Sequence, residues 1–293
     1  MNISGKTKVV GIFGYPIAHS LSPLLHNAAF EELKMDFVYL PFLIKPPELK
    51  RAVQGIKALN LVGINVTVPH KQAIIPFLDE LSPEASLIGA VNTVHHCQGK
   101  LIGYNTDGAG FIESLCQEGG FDPRGKRVLL LGAGGAASAI TFSLIEKEVS
   151  ELFIANRTFK KAQELVGRLK NTASLHCCLT PLKLGESCCT NLLPKIDLLI
   201  NATSLGMLPE DPPPLSPHLL LSSLFYYDVV YNRRTRLLKA ATDKQIRYLD
   251  GQEMLIHQAA LSFNIWTNRR APLRKMRQVI QESGRLKPPL PLQ

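Results

Sequence analysis

Four polar clusters in the N-terminal half carry residue types that could meet a ligand: open α/β sheets bind ligands at strand C-terminal ends, and Lys71, just beyond such an end, could aim an ammonium into that crevice. Asn65, Thr67 and Lys71 fall in Asn65-Val-Thr67-Val-Pro-His-Lys71, and Asp107 sits in Asn105-Thr-Asp107-Gly108. Ser20 and Ser22, in Ser20-Leu-Ser22-Pro23, place two hydroxyls where a helix is expected to start. Gly89-Ala-Val-Asn92-Thr93 adds a further polar pair. Read singly, each of these residues is an ordinary cap or turn residue.

The second half carries a different chemistry. Val128-Leu-Leu-Leu-Gly132-Ala133-Gly134-Gly135-Ala136-Ala137 is an apolar strand running into a glycine-rich turn that opens a helix. That is the context in which backbone N–H groups and a helix N-terminus hold a dinucleotide pyrophosphate. Ala137 replaces the last glycine of the strict pattern, and Gly135 is extra. An acid at the end of the next strand would bind a free ribose 2′-hydroxyl. Here the strand ends Asn156-Arg157-Thr158, with Lys160 and Lys161 behind it. A guanidinium forks around a 2′-phosphate, which favours NADP over NAD.

These residues need elements to position them. Val9–Phe13, Phe37–Leu43 and Leu61–Val68 read as strands, and the last would put Asn65 and Thr67 on one face. Between them lie a helix running to Leu33, with Ser22 as its N-cap and Pro23 first, and a helix over Pro47–Leu59. The alternation predicts a mostly parallel sheet. After Asp107 the pattern restarts: a linking helix over Phe111–Gln117, strands Val128–Leu131, Leu152–Ala155, Leu198–Ala202 and Phe225–Val230, and helices Ala136–Lys147 and Phe159–Leu169. The spans Leu179–Pro194 and Pro209–Pro217 give no clear pattern. Gln252–Asn268 is a long helical pattern that the second sheet does not need, so it is expected to return to the first domain. The fold expected is α/β with two domains. Residues 1–107, with the helices of 252–293, form a substrate domain, and 108–251 a doubly wound Rossmann-type NADP domain.

Composition narrows the rest. At 293 residues, 45% hydrophobic and 19% charged, the chain is globular and long enough for two cores without disulfide or metal staples. The balance of 33 basic to 24 acidic residues gives +9, but the charges are scattered. They read as a solvated surface compatible with anionic ligands, and no nucleic-acid-binding motif accompanies them. No apolar run has the length of a bilayer span, so no membrane partner is expected. Met1–Lys8 has no apolar signal region, and the six cysteines have no zinc-ribbon spacing. The expectation is free thiols, a cytoplasmic location and no metal.

Together the motifs form a signature. The chain resembles the shikimate dehydrogenase family along nearly its full length: in the four N-terminal clusters and the Gly132–Ala136 turn above, in Asn156-Arg157-Thr158, and in Asn201-Ala-Thr-Ser-Leu-Gly206-Met207, Asp228–Tyr231 and Gly251-Gln-Glu-Met-Leu-Ile-His-Gln258-Ala. The resemblance implies reversible reduction of 3-dehydroshikimate by NADPH to shikimate. It makes Lys71 and Asp107 the catalytic pair. It assigns the substrate carboxylate to Ser20 and Ser22 with Tyr231 nearby, the ring hydroxyls to Thr67, Asn92 and Gln258, and pocket support to Asn65. The pyrophosphate falls to Gly132, Ala133, Gly134, Gly135 and Ala136, and the adenosine phosphate to Asn156, Arg157 and Thr158 with Lys161 close by. Val229 and Gly251 come near the nicotinamide, Val229 standing where a methionine is common. The partner implied is a small-molecule substrate, acted on by a monomer or homodimer. The rival readings are a quinate/shikimate dehydrogenase preferring NAD, a folate-dependent dehydrogenase of similar design, and a non-catalytic NADP-binding protein. Arg157 argues against the first, the Ser20–Ser22 site against the second, and the joint presence of Lys71 and Asp107 against the third.

Overall fold

The computed structural model describes residues 3–170 and 177–283. They divide into two compact units, 3–110 with 255–283, and 111–170 with 177–254. The Pro-rich tail Arg285–Gln293, expected to fray, lies outside the described residues. No helix among the described residues is long and apolar enough to cross a membrane.

The first unit is built in the order β1 (Lys8–Gly14), α1 (Ser22–Glu32), β2 (Phe37–Leu43), α2 (Leu49–Ala58), β3 (Gly63–Val66), α3 (His70–Ala73), β4 (Glu80–Leu81), α4 (Pro83–Ile88), β5 (Thr93–Cys97), β6 (Lys100–Tyr104) and α5 (Asp107–Glu113). Its six strands lie in the order β2-β1-β3-β5-β6-β4. β1 runs parallel to β2 and β3, as the βαβ rhythm predicts. β5 runs antiparallel to both neighbours. Its pairing with β6 follows from the two-residue connection Gln98-Gly99, both at positive φ (51° and 76°), which closes a hairpin. β2 is an edge strand, and the Asn27 side chain occupies its free side. Asn27 Oδ1 accepts the Tyr39 N–H at 2.8 Å, and Nδ2 donates to the Tyr39 carbonyl at 3.0 Å. The amide thus stands in for a neighbouring strand and fixes Tyr39.

The C-terminal helices return to this unit as expected. From α10 (Gln252–Thr267), Phe263 and Trp266 are buried here, and the Trp266 indole donates to the Val94 carbonyl at 3.0 Å. Gly63 is required by that approach, since a Cβ would lie 2.2 Å from Trp266 Nε1. α11 (Leu273–Glu282) buries Met276 and Ile280. His26 lies in the aromatic cluster, stacked on Tyr39 with ring centres 4.4 Å apart and next to Phe30, Phe263 and Trp266.

The second unit is a doubly wound sheet. β7 (Arg127–Leu131), β8 (Glu151–Asn156), β9 (Cys178–Lys183), β10 (Leu198–Asn201), β11 (Phe225–Asp228) and β12 (Tyr248–Leu249) stand in the order β12-β11-β10-β7-β8-β9. All neighbours are parallel, and this is the Rossmann strand order with its switch point between β7 and β10. Alternate residues of β7 feed two cores. Val128 and Leu130 pack with α6 (Gly135–Glu146) and α7 (Phe159–Lys170); Leu129 and Leu131 pack with α8 (Glu186–Leu192) and α9 (Arg236–Asp243). The expected linking helix Phe111–Gln117 is the end of α5 followed by a π-helical stretch, Ser114–Glu118. Of the two unclear spans, the first contains most of β9 and α8, and the second is loop leading into a 3₁₀ turn at Pro217–Leu219.

Candidate active site

In the first unit, β3 ends at Val66 and the chain turns at once: the Thr67 carbonyl accepts the His70 N–H at 2.9 Å and α3 begins, carrying Lys71. Thr67 lies one residue beyond the strand, yet its N–H still donates to the Phe13 carbonyl at 2.9 Å and the Tyr15 N–H to the Val68 carbonyl at 3.0 Å, so the pairing with β1 runs on past Val66. Pro69, without an N–H, cannot continue a ladder. Thr67 packs against Gly14, where a Cβ would come within 2.4 Å of its methyl. Asp107 opens α5, where Asn105 Oδ1 accepts the Asp107 N–H at 3.0 Å. Lys71 Nζ donates to Asp107 Oδ2 at 2.5 Å, with the two side chains only 17% and 6% exposed.

A buried polar network lies behind this pair. Asn92 Nδ2 donates to Asp107 Oδ1 and Thr106 Oγ1, each at 2.8 Å, and lies 3.2 Å from Gln258 Oε1. Its Oδ1 accepts the Thr106 N–H at 2.8 Å, so a donor on one side and a carboxylate on the other fix the amide's orientation. Thr93 Oγ1 donates to the same Oδ1 at 3.0 Å and accepts from Asn65 Nδ2 at 3.1 Å. The sheet register explains that contact, because Asn65 and Thr93 face each other across β3 and β5. Asn65 also donates to Ser262 at 3.0 Å and accepts from the Tyr39 hydroxyl at 2.7 Å. Its amide is thus consumed internally, in keeping with pocket support. Gln258 reaches the group because α5 and α10 approach closely at Gly110, where a Cβ would be 2.7 Å from the Gln258 nitrogen. Tyr39, Thr93, Thr106 and Ser262 were given no role from the sequence. Thr93 and Thr106 lie inside the quoted motifs, whereas nothing local marks Tyr39 or Ser262.

Ser22 is not the N-cap of α1. Leu21 holds that position, Ser22 is the first helical residue, and no side chain caps the helix. Ser20 Oγ instead accepts the Ser22 N–H at 3.3 Å, a local side-chain turn at the helix entrance.

In the second unit, Gly132 follows β7 with φ of 117°, and a Cβ there would lie 2.8 Å from the Ala202 carbonyl oxygen. Gly134 is exposed, with no atom within 4 Å of where its Cβ would be. α6 starts at Gly135 without a side-chain cap, and Ala133, Gly135 and Ala136 are half-buried around its end. Uncapped N–H groups facing open space behind a glycine suit a pyrophosphate. At the end of β8, Asn156 Nδ2 donates to the Thr158 carbonyl at 2.9 Å, while Arg157, Thr158 and Lys161 are exposed. Farther along the C-terminal edge, a Cβ on Gly251 would be 2.2 Å from the Val229 oxygen, so the two backbones touch. Tyr231 is half-buried, and burial pushes its phenol up to about 12.

A doubly wound sheet with an open, uncapped glycine-rich turn, in a chain that also carries a shielded Lys–Asp pair, defines a dinucleotide-dependent dehydrogenase of two α/β units. Family models described as shikimate dehydrogenase substrate binding domain, shikimate/quinate 5-dehydrogenase and shikimate 5′-dehydrogenase C-terminal domain match residues 12–94, 115–206 and 251–281. The chain belongs to the shikimate dehydrogenase family. It is 43% identical over 283 residues to the shikimate dehydrogenase (NADP(+)) of Desulforamulus reducens, covering 96% of this chain and 97% of that one. A crystal structure of shikimate 5-dehydrogenase from Listeria monocytogenes, in complex with shikimate and NAD, is 38% identical with a TM-score of 0.86, covering 96% and 98%. The ligand-free 5-ketofructose reductase of Gluconobacter sp. strain CHM43 is 34% identical with a TM-score of 0.83, covering 96% and 100%.

Proposed function

We propose that this chain is an NADP-dependent shikimate dehydrogenase, which reduces 3-dehydroshikimate reversibly to shikimate on the route to chorismate and the aromatic amino acids. The observation that carries the reading is the Lys71–Asp107 contact of 2.5 Å, shielded from water. NADPH, when bound, supplies the hydride. Lys71 Nζ stabilises the oxygen left on the substrate and gives it a proton; in reverse it takes the proton from the alcohol. Asp107 holds Nζ through one oxygen and is itself held by Asn92 through the other.

Ser20 and Ser22, with Tyr231, receive the substrate carboxylate, and Thr67, Asn92 and Gln258 its ring hydroxyls. Asn92 Nδ2 has two protons and three acceptors around it, so a substrate hydroxyl takes the place of Gln258 Oε1, the longest contact at 3.2 Å. Gly132 to Ala136 would hold the pyrophosphate, Asn156, Arg157 and Thr158 with Lys161 the adenosine phosphate, and Val229 and Gly251 the nicotinamide side. The exposed Arg157, where an NAD enzyme carries an acid, supports NADP. The domain roles follow: residues 1–107 with 252–293 bind substrate, and 108–251 bind cofactor. We place the enzyme in the cytoplasm as a monomer or homodimer; cysteines 97, 116, 177, 178 and 189 are free thiols, which suits a reducing compartment.

The test follows NADPH absorbance with shikimate and quinate, each paired with NADP and NAD, and with 5-ketofructose as a substrate for reduction. Shikimate with NADP is expected to give the highest kcat/KM. Faster turnover of quinate with NAD, or of 5-ketofructose, would overturn the reading.

A further inference from the structure

Asp228 ends β11 and is fully buried. Four donors surround its carboxylate. Asn201 Nδ2 and the Val230 N–H reach Oδ1 at 3.0 and 3.1 Å, and the Tyr226 and Thr235 hydroxyls reach Oδ2 at 2.6 and 2.7 Å. All four are neutral. No lysine or arginine among the described residues forms an ion pair with it. A buried anion with hydrogen bonds but no counter-charge is expensive to keep, and it projects an unneutralised field in a low-dielectric setting. Burial pushes its pKa up to about 6, so at neutral pH it is mostly ionised.

Its position gives the charge a use. In a doubly wound sheet the dinucleotide lies across the C-terminal strand ends, one half of it over each half of the sheet. The turn after β7 takes the pyrophosphate and the end of β8 the adenosine side, which leaves β10 to β12 for the nicotinamide. Asp228 is the last residue of β11, bonded to the Val229–Val230 backbone that Gly251 touches. Asp250, just past β12, is a second, half-buried carboxylate at the same edge; its described bonds come from Gln252, and burial raises its pKa.

We propose that Asp228, seconded by Asp250, is a built-in counter-charge for the oxidised nicotinamide, so that this unit binds NADP⁺ in preference to NADPH more strongly than its contacts alone would make it. The oxidised ring is cationic and the ring that has accepted hydride is neutral, so only the first gains from a buried anion. The inference rests on the dehydrogenase reading above.

The test is direct binding without shikimate, at neutral pH. NADPH affinity is read from its fluorescence and NADP⁺ affinity by competition, for wild type, Asp228→Asn and Asp250→Asn. Asp228→Asn is expected to shift the ratio of the two dissociation constants toward NADPH by roughly threefold to thirtyfold, the range for one charge about 8–25 Å away at an effective dielectric near 20. Asp250→Asn is expected to shift it the same way by less, and it serves where Asp228→Asn does not fold. A clamp of purely structural value weakens both forms alike. Equal losses with an unmoved ratio would therefore overturn the assignment while leaving the dehydrogenase reading intact. A wild type that binds neither cofactor defeats both.

Discussion

Ser20 Oγ accepts the backbone N–H of Ser22 at 3.3 Å, so the serine outside α1, and not the one that begins it, steadies the helix entrance. The two hydroxyls therefore have separable duties. Ser20→Ala removes an acceptor from the helix start and is expected to cost about 1 kcal/mol of stability, the scale of a lost N-terminal cap. Ser22→Ala is expected to cost less. Both should weaken shikimate binding by about 1–3 kcal/mol, seen as a higher KM. Thermal melts and a KM series with shikimate and its methyl ester separate the effects. A wild type that handles the ester as well as the acid would show that no carboxylate is read here.

Arg157 is exposed at the end of β8, free to turn toward a 2′-phosphate. Arg157→Asp is expected to raise KM for NADP about 10- to 100-fold, the scale of a hydrogen bond to a charged group, and to change KM for NAD little. If both constants rise together, Arg157 supports the loop and does not read the phosphate.

His26 titrates against the fold. Burial lowers its pKa from 6.5 to about 3, and Asn65 beside it offsets only part of this; neither ring nitrogen makes a hydrogen bond of good geometry. Below 6.5 the unfolded chain takes up a proton that the native imidazole refuses until about 3, so stability is lost as pH falls through that window. At about 1.4 kcal/mol per unit the loss is of order 5 kcal/mol. His26→Phe keeps the stack on Tyr39 and removes the titration. Urea unfolding at a series of pH values should show the variant gaining on wild type below pH 6.5. Parallel profiles would mean that the native imidazole titrates where the unfolded one does and that burial does not hold it neutral.

Where the sequence was legible, one local feature dictated the outcome. Gly132 needs φ of 117°, and the apolar run before it has to be a strand, so the dinucleotide turn reads directly from the chain. The expected segments of β8, β10 and β11 were each found within two residues of their ends. What stayed hidden depends on partners far along the chain. Ser262 meets Asn65 across 197 positions, and Tyr39 meets it across 26, because sheet register and the returning α10 bring them together. The antiparallel pairing of β5 with β6 follows from a two-residue turn, Gln98-Gly99, that the sequence reading did not single out. Ser22 was misplaced because a serine followed by proline has the pattern of a cap, while the true boundary lies one residue earlier, at a leucine.

The most direct test of the account is steady-state turnover of shikimate with NADP by Lys71→Ala beside wild type, with binding of both ligands measured on the same preparations. The Lys71–Asp107 contact predicts that kcat falls about 10²- to 10⁴-fold, the worth of a positioned acid–base group, while shikimate affinity weakens far less. A Lys71→Ala enzyme that keeps near-normal kcat would remove Lys71 from the chemical step and contradict the mechanism.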